Sequence, residues 1–337
     1  MIISRAPFRI SLGGGGTDLP SYYEKYEGFL ISGAIDKHIY VGANQQFYKT
    51  YSLKYSEIET AKNNNEIKHK LIREAVKFLD IEPGIEITSL ADIPSKTGLG
   101  SSGAFLVALL NTLHHYKGDT DITKRMLAEE ACKIELDILK EHEGKQDKYV
   151  AAFGGINAYR FHRNGDVSIQ PLRNTDIISL ELHKNLFLFF TGVMRTNMAS
   201  DALKEQDVKV RQNDEDMTSK MHAIKDIGLQ TKDALEDCEF DEFGRLLNEH
   251  WEIKKQYSSK ASNSFIDRVY KSALKQGALG GKAIGAPGGG FLMFYHPGDV
   301  KMQWEFVANM EKLNLIYVPF KFDEKGITIV SKEELKI

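Results

Sequence analysis

Glu135 and Asp147 stand on either side of Gly144 in "IELDILKEHEGKQDKYVAAFGG" (134–155). Two carboxylates so placed can divide the labour of one reaction. One offers a hard oxygen to a divalent metal, and the other takes a proton from a hydroxyl. Glu135 follows Ala131 by four positions and precedes Ile138 by three. That puts it at the edge of an apolar helical stripe made by Leu127, Ala131, Ile134 and Ile138, where a carboxylate calls for a cation or a donor. Asp137 should face solvent. A helix over 123–142 is expected to end at Gly144, with Asp147 in a polar break before "YVAAFGG". The same spacing also suits surface salt bridges, and it does not decide between the two. His142, in the helix's last turn, reads as a solvated residue complementing the helix dipole.

A second kind of chemistry is written in glycine. "IPSKTGLGSSGAF" (93–105) leads into the apolar run "FLVALLNTLHHY", which is long enough for a buried helix. Ser101 and Ser102 then fall where the helix begins, and serine is a favoured N-cap. Unpaired N–H groups and the macrodipole make such a start a phosphate site, although a capped helix after a turn has the same look. No Gly-Lys-Ser/Thr closes the loop, so it is not a Walker A sequence. "RAPFRISLGGGGTDLP" places Gly13 to Gly16 after a strand-like run, as a turn, a bulge or a close approach to a ligand. Asp18 suits ligand hydroxyls or caps the helix at "LPSYYEKY", and the two roles are compatible. Gly285 to Gly290 form a third such segment before the strand "FLMFY".

The elements that must carry these residues intermix. "IDKHIYVGANQQFY" (35–48), "IEITSL" (85–90) and "LFLFFTGV" (186–193) read as strands. Residues 63–81 and 123–142 read as helices, 198–257 as long charged amphipathic helices, and "FIDRVYKSALKQGA" as one more. The tail "LIYVPFKFDEKGITIV" reads as a hairpin across Asp323–Gly326. Without regular βαβ alternation the class is α+β. The 337 residues suffice for two domains, and a net charge of −3 gives no basic surface for nucleic acid or anionic membrane. Two distant cysteines, Cys132 and Cys238, argue against a disulfide scaffold or a zinc site and fit a reducing compartment. With no signal-type apolar core at the N-terminus and no membrane-length apolar run, a cytoplasmic protein is expected.

Together, "APFRISLGGGGTD", "PSKTGLGSSGA" and "KAIGAPGGGF" occur in the order of the three motifs of the galactokinase, homoserine kinase, mevalonate kinase and phosphomevalonate kinase (GHMP) superfamily, and the chain resembles it from end to end. Within it, "GGGGTDLPSYY", "GKQDKYVAAFGG" and "TGVMRT" are most similar to the D-glycero-D-manno-heptose 7-phosphate kinases, which make heptose 1,7-bisphosphate for bacterial surface polysaccharides. The resemblance implies a two-lobed α+β fold, 1–180 and 181–337, with the active site in the cleft. It implies that Lys96, Thr97, Gly98, Leu99, Gly100, Ser101, Ser102 and Gly103 wrap the phosphates of ATP. Ser102 and Glu135 would bind Mg²⁺, Asp147 would be the catalytic base, and Arg9 would orient it. The sugar would lie against Gly14, Gly15, Gly16, Thr17, Asp18, Gly288 and Gly289. Galactokinases carry Glu-His just before Thr-Asp, whereas Gly15 and Gly16 stand here, which argues against galactose and for a roomier pocket.

The expected activity is ATP-dependent phosphorylation of the anomeric hydroxyl of heptose 7-phosphate. Its rivals are a fucokinase-like sugar 1-kinase and a non-catalytic sugar- or nucleotide-binding regulator. The expected partners are ATP and the heptose phosphate, with neither nucleic acid nor membrane, and a homodimer is allowed. The sugar's own phosphate needs a fixed cation. Arg195, in "TGVMRTNM" after the strand 186–193, is the candidate for that role, set against an ordinary surface arginine.

Overall fold

The computed structural model describes residues 1–193, 198–257, 262–285 and 289–332. Its larger sheet is built around two long strands, β1 (Ile2–Gly13) and β2 (Gly28–Gln45), paired antiparallel along their length. The second edge of β2 is shared. Residues 39–45 pair with β5 (Ile85–Ala91), which continues through β3 (Tyr51–Lys54) to β4 (Ile58–Ala61). Residues 28–33 pair with β6 (Ile156–Phe161), followed by β7 (Val167–Pro171). The smaller sheet runs β11 (Ile316–Tyr317), β8 (Leu186–Phe190), β10 (Phe291–Tyr295), β9 (Gly280–Ala283). The last strand, β12 (Thr328–Lys332), returns to the larger sheet beside β1.

Eleven α-helices fill the described intervals. They are α1 (Pro20–Tyr26), α2 (Lys70–Phe78), α3 (Ser101–Lys117), α4 (Lys124–Cys132), α5 (Gln146–Phe153), α6 (Thr175–Asn185), α7 (Met198–Arg211), α8 (Glu215–Glu236), α9 (Phe240–Lys254), α10 (Ser264–Lys275) and α11 (Val300–Glu311). The expected division of the chain at 180/181 falls inside α6. Helix α3 is apolar on nearly every face because it is covered on nearly every side, with Gly103 through His114 all buried. It lies on β1 and β2 with α4 and α5 against it. A second apolar cluster, with Phe189, Trp251, Phe294 and Phe306, holds α9, α10 and α11 on the smaller sheet.

Four local readings are corrected. The helix after Thr123 does not run unbroken to 142. A π turn occupies Lys133–Ile138 and adds a residue to the turn, which rotates everything beyond it. Ile138 consequently faces out, Glu135 swings into the interior, and Asp137 is exposed as expected. The chain leaves this helix at Lys140, in the left-handed region at φ 55°, not at Gly144. Asp147 sits in the first turn of α5 rather than in a break. The tail forms no hairpin, because β11 and β12 belong to different sheets.

Candidate active site

Arg9 points from the middle of β1 and is buried. Its Nε donates to Asp147 Oδ1 at 2.8 Å, and its Nη2 lies 2.6 Å from the same oxygen. The third arm, Nη1, donates to the carbonyl of Gly98 at 2.7 Å, and the Arg9 backbone N–H donates to Leu99 O at 3.0 Å. One guanidinium therefore fixes the carboxylate of α5 and the glycine loop before α3 in a single geometry, as its rigid fork allows.

The loop ends at Gly100, at φ 80°, and this glycine is the N-cap of α3, not either serine. No side chain caps that end, so Ser101 and Ser102 stand in the first turn, where N–H groups have no partner in the helix. Gly103 is where α3 meets α5. A methyl there would lie 2.7 Å from Asp147 Cβ, so only a hydrogen allows α3 so close to the carboxylate.

A cavity of about 780 Å³ opens on these groups. Arg9, Lys96, Gly98, Gly100, Ser101, Ser102 and Asp147 line its centre, and Gly15, Gly16 and Asp18 line one flank. Tyr55, His69, Leu71, Leu90, Ile93 and Phe105 give it an apolar region, while Gln206, Lys254 and Gly285 bring in the second half of the chain. Asp18 does not cap α1. Its carboxylate accepts from the N–H of Gly16 at 3.2 Å and of Gln146 at 2.9 Å. Burial raises its pKa above the ordinary range, against the Gln146 N–H that lowers it.

Several expected site residues do not line this cavity. Thr17 is buried, its hydroxyl 2.9 Å from both Gly14 O and Phe29 O, which share its one proton, and accepting from the Phe29 N–H. Gly14 is needed for packing, since a Cβ would stand 2.2 Å from Phe29 O. Thr97 and Leu99 are fully buried, and Thr97 Oγ1 donates to Pro94 O at 3.0 Å. Gly289 packs by Val193 and is not among the cavity-lining residues. Arg195 and Gly288 lie outside the described residues.

Glu135 is the largest departure. It is buried off the cavity in an ion pair with Lys148, which is buried with it. Among the described residues no group of three or more His, Cys, Asp or Glu is arranged to hold a metal. For Mg²⁺, Ser102 fits as a ligand open to the cavity, and Glu135 in its present pairing does not. Glu143 does reach the cavity. Burial, then the charge of Glu135, pushes its carboxyl well above the usual carboxylate range. Sequence reasoning passed over Gln146, Glu143, Lys148 and Lys254. The first three adjoin Asp147 in "EGKQDK", but nothing in the spacing marks Lys254. His142 lies beyond the helix end and is half-buried, its Nδ1 2.8 Å from Asp207 Oδ2.

A carboxylate clamped to arginine at the open start of a glycine-led helix, in a cleft lined by both halves of the chain, is an arrangement suited to phosphoryl transfer. The chain belongs to the GHMP kinases: the family's N-terminal domain matches residues 48–155 and its C-terminal domain residues 232–301. Its fold is that family's α+β fold, and ATP is its co-substrate. A D-glycero-alpha-D-manno-heptose 7-phosphate kinase of Campylobacter jejuni is 29% identical over 97% of this chain and 98% of its own length. A D-glycero-D-manno-heptose 1-phosphate kinase structure from Bacteroides thetaiotaomicron superposes with a TM-score of 0.77 at 26% identity, covering 99% of this chain and all of the other. A bifunctional fucokinase/GDP-fucose pyrophosphorylase of Arabidopsis thaliana is 23% identical over 85% of this chain and 29% of that longer protein. No helix among the described residues is long and apolar enough to cross a membrane.

Proposed function

We propose that this GHMP kinase is an ATP-dependent sugar kinase that phosphorylates the anomeric hydroxyl of D-glycero-D-manno-heptose 7-phosphate. The observation that carries the chemistry is the Arg9–Asp147 couple packed beside the start of α3, with both lining one cavity. The substrate comes from the likeness to the Campylobacter enzyme over nearly the whole of both chains.

ATP would lay its base in the apolar region around Tyr55, His69, Leu90 and Phe105, with its phosphates at the N–H groups of Ser101 and Ser102 and beside Lys96. The sugar would occupy the flank formed by Gly15, Gly16 and Asp18. A sugar hydroxyl is a poor nucleophile at neutral pH. Asp147 accepts its proton as the oxygen bonds to the γ-phosphorus and the bond to the β,γ-bridging oxygen breaks, releasing ADP. Arg9 holds Asp147 in place without taking part in the transfer. Mg²⁺ would enter with the nucleotide and neutralise phosphate charge, with Ser102 its proposed protein ligand and phosphate and water oxygens supplying most of the rest. Arg195 remains the proposed cation for the 7-phosphate.

The test is ADP release with a panel containing heptose 7-phosphate, heptose 1-phosphate, free heptose and fucose, with ³¹P NMR to locate the new phosphate. Heptose 7-phosphate should give the highest kcat/KM, with phosphate on the anomeric carbon. A preference for fucose would move the protein to the fucokinases, and no turnover with any sugar would leave the kinase reading without support.

A further inference from the structure

The Glu135–Lys148 pair sits where the family's logic asks for a metal, and the lysine is the cation found there, although Glu135 Oε2 has no hydrogen bond beyond this ion pair. The Glu135 and Lys148 side chains are 4% and 1% exposed, and neither lines the catalytic cavity. Lys148 Nζ makes a second contact, donating to Gly144 O at 2.9 Å. Around this ammonium lie Glu143 and Asp147 as well as Glu135. Burial works against its charge, but these carboxylates outweigh that and raise its pKa. A buried carboxylate needs one compensating cation, and a second would face the first at close range in a medium that screens little.

We infer that Lys148 takes the place of a metal ion as the partner of Glu135, so that the divalent cation travelling with the nucleotide is held from the cavity side and not by Glu135. The inference rests on the kinase reading above. Lys148 is then a positioning residue. It ties the carbonyl of Gly144 to Glu135, while the N–H of Gln146, two residues on, is tied to Asp18. Residues 144–148 are thus fastened at both ends of a turn, and Asp147, inside it, has its backbone set before any ligand arrives. The π turn supplies the other half of the device by rotating Glu135 inward to meet the lysine.

The experiment titrates Mn²⁺ into protein saturated with a non-hydrolysable ATP analogue and reads bound metal by electron paramagnetic resonance. Wild type and E135Q should bind Mn²⁺ within about twofold of each other, because one hard ligand is neither lost nor gained. K148Q frees Glu135 for a cation and should bind Mn²⁺ at least ~10-fold more tightly. Loss of ~10-fold or more in E135Q would overturn the inference by making Glu135 a ligand. K148Q and E135Q each take a buried charge's partner away and can fail to fold, so E135Q/K148Q, which removes both charges, supplies a second decision. Its Mn²⁺ affinity should match wild type, and a ~10-fold weakening would again overturn the inference. In that double variant kcat should fall ~10-fold with both KM values nearly unchanged, as a displaced base demands. An unchanged kcat would overturn the positioning role. Wild-type protein that bound no metal–nucleotide would overturn the kinase reading itself, and the inference with it.

Discussion

Asp147 and Arg9 are 138 positions apart in the chain and 2.8 Å apart in space, which makes the pair a sharp target. Asp147→Asn keeps the shape and a hydrogen-bonding oxygen for Arg9 but cannot accept a proton. Turnover is expected to fall ~10²–10⁴-fold, with nucleotide affinity, read by titration of a fluorescent analogue, nearly unchanged. Wild-type turnover would reduce Asp147 to a structural partner of Arg9. The sugar phosphate makes a different demand. A charge-assisted contact to it is worth ~1.5–3 kcal/mol, so Arg195→Ala should raise its KM about ten- to a hundredfold while leaving KM for ATP alone. Steady-state kinetics with each substrate varied separates these outcomes, and an unmoved sugar-phosphate KM acquits Arg195.

Helix α3 is the element on which the site depends, and both of its ends can be tested. At its start, Gly103→Ala pushes a methyl into Asp147 Cβ. Overpacking of this kind costs ~1–3 kcal/mol, and because the displaced group is the proposed base, kcat should drop more than either KM rises. A loss of thermal stability with wild-type kcat would show that the contact is packing alone. At its end, His114 bridges Asp119 (2.7 Å) and Glu130 (2.8 Å), binding α3 to α4. The hydrogen bond with Glu130 raises its pKa, against burial, which lowers it. The charged form is therefore favoured in the fold. Its stabilisation is complete below the unfolded value of ~6.5 and is lost as pH rises through the higher folded value. Urea unfolding at pH 6 and pH 8.5 should show wild type losing more stability across that interval than His114→Gln. Equal losses would mean that other groups govern the slope.

The two sheets are joined by the tail as well as by the packing of their helices. After β11 the chain leaves the smaller sheet, Phe322 bridges to Ile35, and Asp323 Oδ2 meets His38 Nε2 at 2.8 Å. The other oxygen, Oδ1, accepts from the N–H groups of Lys325 and Gly326, both at 2.8 Å. β12 then covers the open edge of β1. Cross-strand pairs contribute ~0.2–1 kcal/mol each, so truncation after Gly326 should cost ~1–4 kcal/mol and lower Tm by several degrees. The bared edge of β1 should also raise the aggregation rate on heating, visible as light scattering. An unaltered melting curve would show that β12 contributes nothing to the larger sheet.

Local chemistry was readable without coordinates. The apolar run after Ser102 reads as a buried helix, and the glycines before it read either as a turn or as backbone brought close to an anion. The Arg9, Asp18, Ser102 and Asp147 positions, once matched to the family's motifs, fell on one cavity. What depends on phase and on distant partners was not readable. A π turn at Lys133–Ile138 has no signature in side-chain spacing, yet the one residue it adds decides that Glu135 points inward and Ile138 outward. Gly13 to Gly16 look alike in sequence, but only the backbone of Phe29 and the side chain of Thr231, both remote, assign Gly13 and Gly14 to packing and leave Gly15 and Gly16 to the cavity. The tail has the pattern of a hairpin because its two halves are neighbours in sequence. β1 and β8 draw them apart, since a strand goes to whichever unpaired edge the folded sheets present. Lys148 was invisible for the same reason. A lysine beside an aspartate reads as surface charge until the fold buries it against Glu135, where two charges shut away from water must pair with each other.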